Sequence, residues 1–183
     1  VTVEKKEGKL RGQKDVIITD LPGIYSLSPY TLEEVVTRNY IMDERPDVVV
    51  NLVDASNIER NLYLTTQLTE MGIPVLIALN MMDIVKKNGD RIDTKKLSEQ
   101  LGCEIIETSA VKGEGLKALA DCAVKMARSG VKTTPQHTFD QRVEQALSEI
   151  ASLISDVVPA ESLRWYSVKL FERDEKAMER FSF

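Results

Sequence analysis

Three short runs of apolar residues, separated by segments of helical pattern, constrain the fold of this chain more than any other sequence feature. The runs cover residues 48–53, 74–79 and 104–107. They are nearly continuous rather than alternating in polarity, which is typical of strands that helices cover on both faces. We therefore predict an α/β fold with a doubly wound, mostly parallel sheet in which these runs are interior strands. Before them, residues 1–6 and 9–19 are predicted to form a hairpin.

Helical patterns fill the intervals between these runs. Thr31 and Glu34 have capping-box spacing and open a predicted helix that reaches about residue 44, shortly before Pro46. Apolar spacing and terminal glycines predict further helices, which cover residues 58–71, 93–102 and 115–128. After residue 130 no strand pattern follows. We predict a first domain, a linker and a small α-helical domain, with the boundaries 1–132, 133–137 and 138–183.

Composition and charge exclude several classes of protein. Hydrophobic residues make up 43% of the 183 residues, which is enough to bury a sizeable core. The 24 Lys and Arg residues and 29 Asp and Glu residues give a net charge of −5 without a long block of either sign, so no nucleic-acid partner is indicated. The longest apolar run, residues 75–79, is far shorter than the roughly 18–20 residues of a membrane-spanning helix. We predict a soluble segment that does not insert into a membrane.

Polar residues directly after the predicted strands are the candidates for chemistry, because ligands bind beyond the carboxyl ends of the strands in a doubly wound sheet. Asp20 follows residues 16–19, and Gly23 comes three positions later. A carboxylate at such a position can hold Mg²⁺ through a water molecule, and a glycine lets its backbone N–H approach a phosphate. The alternative interpretation is an ordinary turn, in which acids and glycines are common.

The next two strand ends carry the residues Asn80 and Asp83 and the tripeptide 108–110. A carboxylate can accept hydrogen bonds from N1–H and the exocyclic amino group of guanine, a donor pair that adenine lacks. We predict that Asp83 selects the base, that Asn80 braces the loop, and that the small Ala110 leaves room for a backbone N–H near the guanine carbonyl. A helix N-cap at Asp83 is the alternative. The ordered occurrence of all three motifs after strands favours a nucleotide site.

These motifs resemble a known family. The order DLPG, NMMD and TSA resembles a small GTPase domain of the translation-factor class. Residues 20–30 and 53–68 closely resemble the cytoplasmic G domain of the ferrous iron transport protein B (FeoB) family, and the resemblance runs over most of residues 1–130. Residues after 136, including 164–166, resemble the helical domain that follows and leads to the membrane portion.

The resemblance implies a function and a set of ligands. It implies a GTP-binding, slowly hydrolysing regulatory domain of a prokaryotic ferrous iron transporter at the cytoplasmic face of the bacterial inner membrane, with GTP or GDP and Mg²⁺ as cofactors. The implied partner is the transmembrane iron permease portion of the same parent chain. The alternative is a non-hydrolysing protein-interaction module with a GTPase-like fold. Thr2 falls in switch I, and with Asp20 it would hold Mg²⁺. The implied nucleotide-binding residues are Thr2, Asp20, Gly23, Asn80, Met81, Asp83, Ser109 and Ala110.

The sequence departs from the family at the phosphate-binding loop. No G-x-x-x-x-G-K-[ST] string occurs in residues 1–183, although the amide groups and lysine of such a loop hold the phosphates in P-loop proteins. In the family this loop lies before switch I. We expect that the sequence is a fragment, that its first strand and phosphate loop are missing, and that the helical domain is incomplete.

Two single positions also depart from common GTPases. Ile24 stands where many carry a water-orienting glutamine, so we assign no catalytic residue and expect slow hydrolysis. Met81 stands where many have lysine in N-K-x-D; methionine keeps an apolar stem without the charge. Base specificity should then rest on Asp83. The single histidine, His137, falls in the predicted linker, where we expect a solvated or capping side chain, while Trp165 is expected to bury against the first domain.

We predict that residues 1–183 alone bind guanine nucleotide weakly, because a P-loop supplies the main phosphate contacts. Isothermal titration calorimetry with GTP and Mg²⁺ measures this directly. A tight, magnesium-dependent complex would contradict the prediction.

Overall fold

Strands and helices alternate along most of the chain. The computed structural model describes residues 6–28, 30–131, 133–179 and 181. The strands in this part are β1 (Lys6–Lys9), β2 (Ile17–Asp20), β3 (Val49–Asp54), β4 (Val75–Asn80) and β5 (Glu104–Glu107). The helices are α1 (Leu32–Glu44), α2 (Ile58–Glu70), α3 (Met82–Asn88), α4 (Thr94–Leu101), α5 (Leu116–Ser129), α6 (Gln141–Ile154), α7 (Leu163–Phe171) and α8 (Glu175–Glu179). None of these helices is long and apolar enough to cross a membrane.

The main sheet is parallel, and β4 lies at its centre. The strand order is β3-β4-β5, with Val49 opposite Val75 and Leu76 opposite Glu104. All five residues from Val75 to Leu79 are fully buried, because helices and neighbouring strands shield β4 on every side. The predicted α/β class with a parallel sheet is confirmed.

The expectation that all three apolar runs are interior strands is wrong for β3 and β5. In the described part of the chain each has a neighbouring strand on one side, so each lies at an edge. The side chains of β3 alternate in burial: Val53 is fully buried, whereas Leu52 is 70% exposed. An apolar run therefore covers one buried face and one exposed face here, although its sequence suggested burial on both.

The predicted hairpin is present as a separate two-stranded sheet. β1 and β2 are antiparallel, with Lys6 opposite Asp20 and Lys9 opposite Ile17. The predicted turn between residues 6 and 9 is wrong, because Gly8 lies within β1 opposite Ile18 and the turn falls between Lys9 and Ile17. Residues 1–5 lie outside the described ones. The hydroxyl of Tyr40 on α1 donates to Thr19 Oγ1 at 3.1 Å, which ties the end of β2 to α1.

The predicted capping box at the start of α1 is confirmed. Thr31 Oγ1 accepts from the backbone N–H of Glu34, and the Glu34 carboxylate accepts from the backbone N–H of Thr31. Two short helices, α3 and α8, were not predicted. α3 begins after Met81, a residue with a left-handed backbone (φ 64°) and no side-chain cap, so the usual signals for a helix start do not occur there.

The helical segment after residue 139 shares its core with the sheet. Trp165 is 1% exposed and joins the same apolar cluster as Ile41 of α1 and Leu68 of α2, which confirms the expected burial of Trp165. His137, expected to be solvated or to cap a helix, instead pairs with α2: its Nε2 lies 2.7 Å from Glu70 Oε1, and the Glu70 side chain is 5% exposed. The segment before α6 is therefore anchored to the end of α2.

A glycine allows close contact between these two parts. Gly72, just after α2, has φ +70°, a conformation that favours glycine. A Cβ atom at this position would lie 2.2 Å from the backbone oxygen of Glu161. The backbones at the end of α2 and before α7 therefore touch directly.

A buried ion pair also joins α1 to the helical segment. Arg38 donates to both carboxylate oxygens of Asp174, at 2.9 and 3.2 Å. The two side chains are 5% and 6% exposed, and the Arg38 guanidinium lies 4.8 Å from the Trp165 ring centroid. Since neither charge has much access to water, each depends on the other.

We predict that Arg38→Met lowers the free energy of unfolding by about 3–5 kcal/mol, because it leaves the Asp174 carboxylate buried without its cation. Urea denaturation followed by circular dichroism measures the loss. Arg128→Met is the matched control, since Arg128 pairs with Asp15 at the surface, where the side chains are 56% and 69% exposed. The control should change stability by less than about 1 kcal/mol; equal losses for the two variants would contradict the prediction.

Candidate functional site

The three parallel strands end next to each other. Asp54 at the end of β3 lies opposite Asn80 at the end of β4, and Leu79 lies opposite Glu107 at the end of β5. The loops that follow therefore leave the same edge of the sheet. This is the edge at which doubly wound sheets bind ligands.

Asn80 connects the loop after β4 to the loop after β5. Its Oδ1 accepts from the backbone N–H of Ala110 at 3.0 Å and from Thr108 Oγ1 at 3.3 Å. The backbone N–H of Thr108 in turn donates to the carbonyl of Leu79 at 2.8 Å. Asn80 thus holds the two loops together, as the bracing role predicted for it requires.

Asp83 lies in the first turn of α3 and contacts the same loop. Ser109 Oγ donates to Asp83 Oδ1 at 2.8 Å, and Ser109 is 1% exposed. This hydrogen bond is the main reason that the pKa of Asp83 lies below its ordinary value, and backbone amides at Asp83 and Ile84 and the charge of Lys112 lower it further. The carboxylate is therefore ionised at neutral pH and held in one orientation. The alternative of an N-cap at Asp83 is wrong, because the N-cap of α3 is Met81.

Met81 occupies a strained position between these two side chains. Its φ of 64° lies in the left-handed region, which non-glycine residues adopt at some energetic cost and often at functional sites. The side chain is 43% exposed. An exposed, flexible thioether at this edge is available to pack against a flat apolar ligand.

The loop after β5 is closed by its own backbone. Ser109 and Glu114 exchange two backbone hydrogen bonds, each 3.1 Å long. Gly115, which follows, has φ +76°, and a Cβ there would lie 2.1 Å from the backbone oxygen of Glu107. This tight closure gives Ser109 and Ala110 fixed positions beside Asn80.

Asp20 and Gly23 are not part of the three-stranded sheet that carries this cluster. Asp20 ends β2 in the two-stranded sheet and is exposed. Gly23 is also exposed, and a Cβ built on it would have no atom within 4 Å. Neither crowding nor a left-handed backbone therefore requires glycine at position 23. Of the predicted site residues, the structure brings four together: Asn80, Asp83, Ser109 and Ala110. Strand pairing does not join Asp20 and Gly23 to these four. Thr2 lies outside the described residues.

One residue of this edge was missed by the sequence analysis. Asp54 accepts from the backbone N–H and the hydroxyl of Ser56, at 2.8 and 2.7 Å, and caps the short 3₁₀ helix Ala55–Asn57. The strand-end rule that identified Asn80 would have identified Asp54 as well. In the described part of the chain, no three His, Cys, Asp or Glu side chains are grouped as a protein-only metal site requires.

We predict that Ser109→Ala raises the pKa of Asp83 towards its ordinary value of about 3.9, because the variant removes the hydrogen bond that stabilises the carboxylate. Titration of the Asp83 carboxyl carbon by NMR measures this. In the control Ser98→Ala, the lost hydroxyl donates to the carbonyl of Cys103, and the pKa of Asp83 should not move. A titration curve unchanged by Ser109→Ala would mean that Ser109 does not set the protonation of the site.

Comparison with known proteins agrees with this geometry. The family model described as ferrous iron transport protein B matches residues 1–123, and the model described as FeoB cytosolic helical domain matches residues 139–183. A Porphyromonas gingivalis fusion of Fe(2+) transport protein A and Fe(2+) transporter FeoB is 44% identical over 191 residues. The match covers 99% of this chain and 22% of that protein, so the chain spans about a fifth of this relative.

Two solved structures of S. thermophilus NFeoB have the same fold. One, a mutant bound to GMPPNP, is 46% identical with a TM-score of 0.92 and covers 98% of this chain and 70% of that one. The other, bound to GDP·AlF4− and K+, is 45% identical with a TM-score of 0.93 and covers 100% and 71%. The sheet and its helices therefore form a P-loop GTPase-like fold followed by helices. Since the family model of ferrous iron transport protein B matches well over half of its residues, this chain belongs to the ferrous iron transport protein B family.

Proposed function

We propose that this chain is the guanine-nucleotide-binding regulatory part of a prokaryotic ferrous iron transporter. The observation that carries the proposal is the joint fixing of two side chains at one edge of the sheet, Asp83 by Ser109 and Asn80 by the 108–110 loop. The similar S. thermophilus NFeoB structures are bound to GMPPNP and to GDP·AlF4−. We assign residues 1–132 to the G domain, 133–137 to the linker and 138–183 to the helical domain.

In this proposal Asp83 selects guanine. Its ionised carboxylate accepts from N1–H and from the amino group at C2, whereas adenine offers no such donor pair. A site built on hydrogen bonds to the correct group rejects an analogue without it by roughly 10⁴-fold in favourable cases. Ser109 acts by keeping the carboxylate charged and oriented. Met81 packs its exposed side chain along the base.

The backbone N–H of Ala110 binds the guanine carbonyl oxygen in the same proposal. In the structure this N–H donates to Asn80 Oδ1, so nucleotide binding requires it to share or exchange its acceptor. The small side chain of Ala110 leaves space for the ring. Asn80 Oδ1 keeps its second donor, Thr108 Oγ1, when the exchange occurs.

Asp20 and Gly23 serve the phosphate end of the nucleotide. The exposed carboxylate of Asp20 suits Mg²⁺, which prefers oxygen ligands and keeps several waters while binding phosphates. Mg²⁺ supplies charge neutralisation at the phosphates when bound. The open space around Gly23 supports a close approach of its backbone N–H to a phosphate. Thr2 is the proposed second protein ligand of the metal.

GTP hydrolysis by this site is slow in the proposal, and no catalytic residue is assigned. Ile24 packs against the apolar core and is partly buried. Its side chain can neither donate to nor accept from an attacking water. The nucleotide-bound state would therefore be long-lived, which suits a regulatory element.

The partner is the iron permease portion of the same transporter, at the cytoplasmic face of the membrane. α1 begins directly after the loop that contains Gly23, and the buried pair of Arg38 and Asp174 fastens α1 to the helical segment. A change at the phosphate end can therefore reach the helical domain through a rigid connection.

We predict that Asp83→Asn in the full-length protein weakens GDP binding by at least about 100-fold and strengthens binding of xanthosine diphosphate. The reason is that asparagine offers an N–H₂ donor, and xanthine has a carbonyl at C2 where guanine has an amino group. Calorimetric titration with GDP, xanthosine diphosphate and ADP in the presence of Mg²⁺ measures the change.

Asp90→Asn is the control for this test, because Asp90 is an exposed acid beyond the end of α3. It should bind GDP like the unsubstituted protein. Retained GDP selectivity in Asp83→Asn would refute the proposed base recognition.

A further inference from the structure

The loop between β2 and α1 is attached to the rest of the protein at three consecutive residues. The Tyr25 ring lies under the guanidinium of Arg60, 3.7 Å from its centroid. Ser26 Oγ donates to Glu34 Oε1 at 3.1 Å. The backbone N–H of Leu27 donates to Gln67 Oε1 at 2.7 Å.

The third of these attachments is the most buried. Leu27 is fully buried and Gln67 is 5% exposed. Gln67 lies on α2, forty residues further along the chain, and its Nε2 donates to Tyr63 Oη at 3.3 Å. A buried backbone N–H needs an acceptor, and here the acceptor is a side chain of another element rather than a backbone carbonyl.

The hydrogen bond from the Leu27 N–H to Gln67 limits the movement of Gly23. Leu21 and Ile24 on either side of Gly23 pack against the core, and Leu27 follows four positions later. If the loop leaves this docked position, Leu27 loses its burial and its hydrogen bond together. A hydrogen bond is directional, so Gln67 sets the orientation of the loop as well as its attachment.

We propose that Gln67 is a positioning residue for the phosphate end of the site: it holds the loop from Leu21 to Leu27 docked on α2 and so keeps the backbone of Gly23 in place for the γ-phosphate. The inference rests on the proposed function, because it assigns a phosphate-binding role to Gly23. The base-binding residues lie on other loops, after β4 and β5. Loss of the Gln67 contact should therefore affect GTP turnover and leave GDP affinity nearly unchanged.

Two substitutions separate the hydrogen bond to Leu27 from the other contacts of the Gln67 side chain. Gln67→Met keeps a similar length and flexibility but removes the acceptor. Tyr63→Phe leaves Gln67 and its acceptor for Leu27 in place, and removes only the hydroxyl to which Gln67 Nε2 donates. Gln145→Met is the matched control, since Gln145 is an exposed residue of α6 that contacts Glu149.

The experiment uses the full-length protein and three measurements on each variant. Hydrogen–deuterium exchange followed by mass spectrometry reports the protection of the peptide that contains Leu27. GTP turnover gives kcat, and calorimetry gives the affinity for GDP. For Gln67→Met we expect faster exchange of that peptide and a kcat lower by about tenfold, with GDP affinity within about threefold of the unsubstituted protein. Tyr63→Phe and Gln145→Met should resemble the unsubstituted protein in all three.

Two results would overturn the inference. One is unchanged exchange or unchanged kcat in Gln67→Met. The other is an equal loss in Tyr63→Phe and Gln67→Met, which would point to the other contacts of the Gln67 side chain rather than to its hydrogen bond with Leu27. Failure of the proposed function has a different signature: the unsubstituted protein itself would bind no GDP, and the role of Gln67 in turnover would fall with it.

Discussion

The burial of β4 is the constraint on which the rest of the structure depends. Its residues from Val75 to Leu79 are completely shielded, so a shift in register would draw the polar side chain of Asn80 into the apolar interior or push an apolar side chain out of it. The end of the strand is therefore fixed, and with it the position of Asn80. Asn80 in turn gathers Thr108 and Ala110 of the neighbouring loop. The fixed positions of the polar residues at this edge of the sheet therefore depend on the burial of β4.

The helical segment belongs to the same folding unit as the sheet. Its residue Trp165 lies in the common core, and Asp174 neutralises Arg38 where water has little access. His137 and Glu70 add a contact at the end of α2. Such a junction suits the regulatory role proposed above, because movement of α1 would pass to the helical segment instead of being absorbed by a loose linker.

The sequence predicted the features that depend on neighbouring residues and missed those that depend on distant ones. The continuous apolar run of β4, the capping box of α1 and the polar strand ends are local patterns, and the structure contains all three. The exposed face of β3 could not be predicted, because an apolar side chain looks the same in sequence whether a helix covers it or not. The pair of Arg38 and Asp174 joins residues 136 positions apart, and no spacing rule reaches that far. Most site residues could be proposed from strand ends, whereas Gln67 lies inside a helix, where a buried amide leaves no sequence signal.

The contact at Gly72 changes how substitutions at the junction should be interpreted. Alanine is the usual neutral replacement in mutational scans, since it removes side-chain interactions and adds little. At Gly72 it adds the one atom that cannot be accommodated, because the carbonyl of Glu161 already occupies that space. The close fit between the end of α2 and the segment before α7 thus depends on the absence of a side chain at Gly72. Scans that rank residues by the contacts they lose on truncation would overlook the position that lets the two backbones meet.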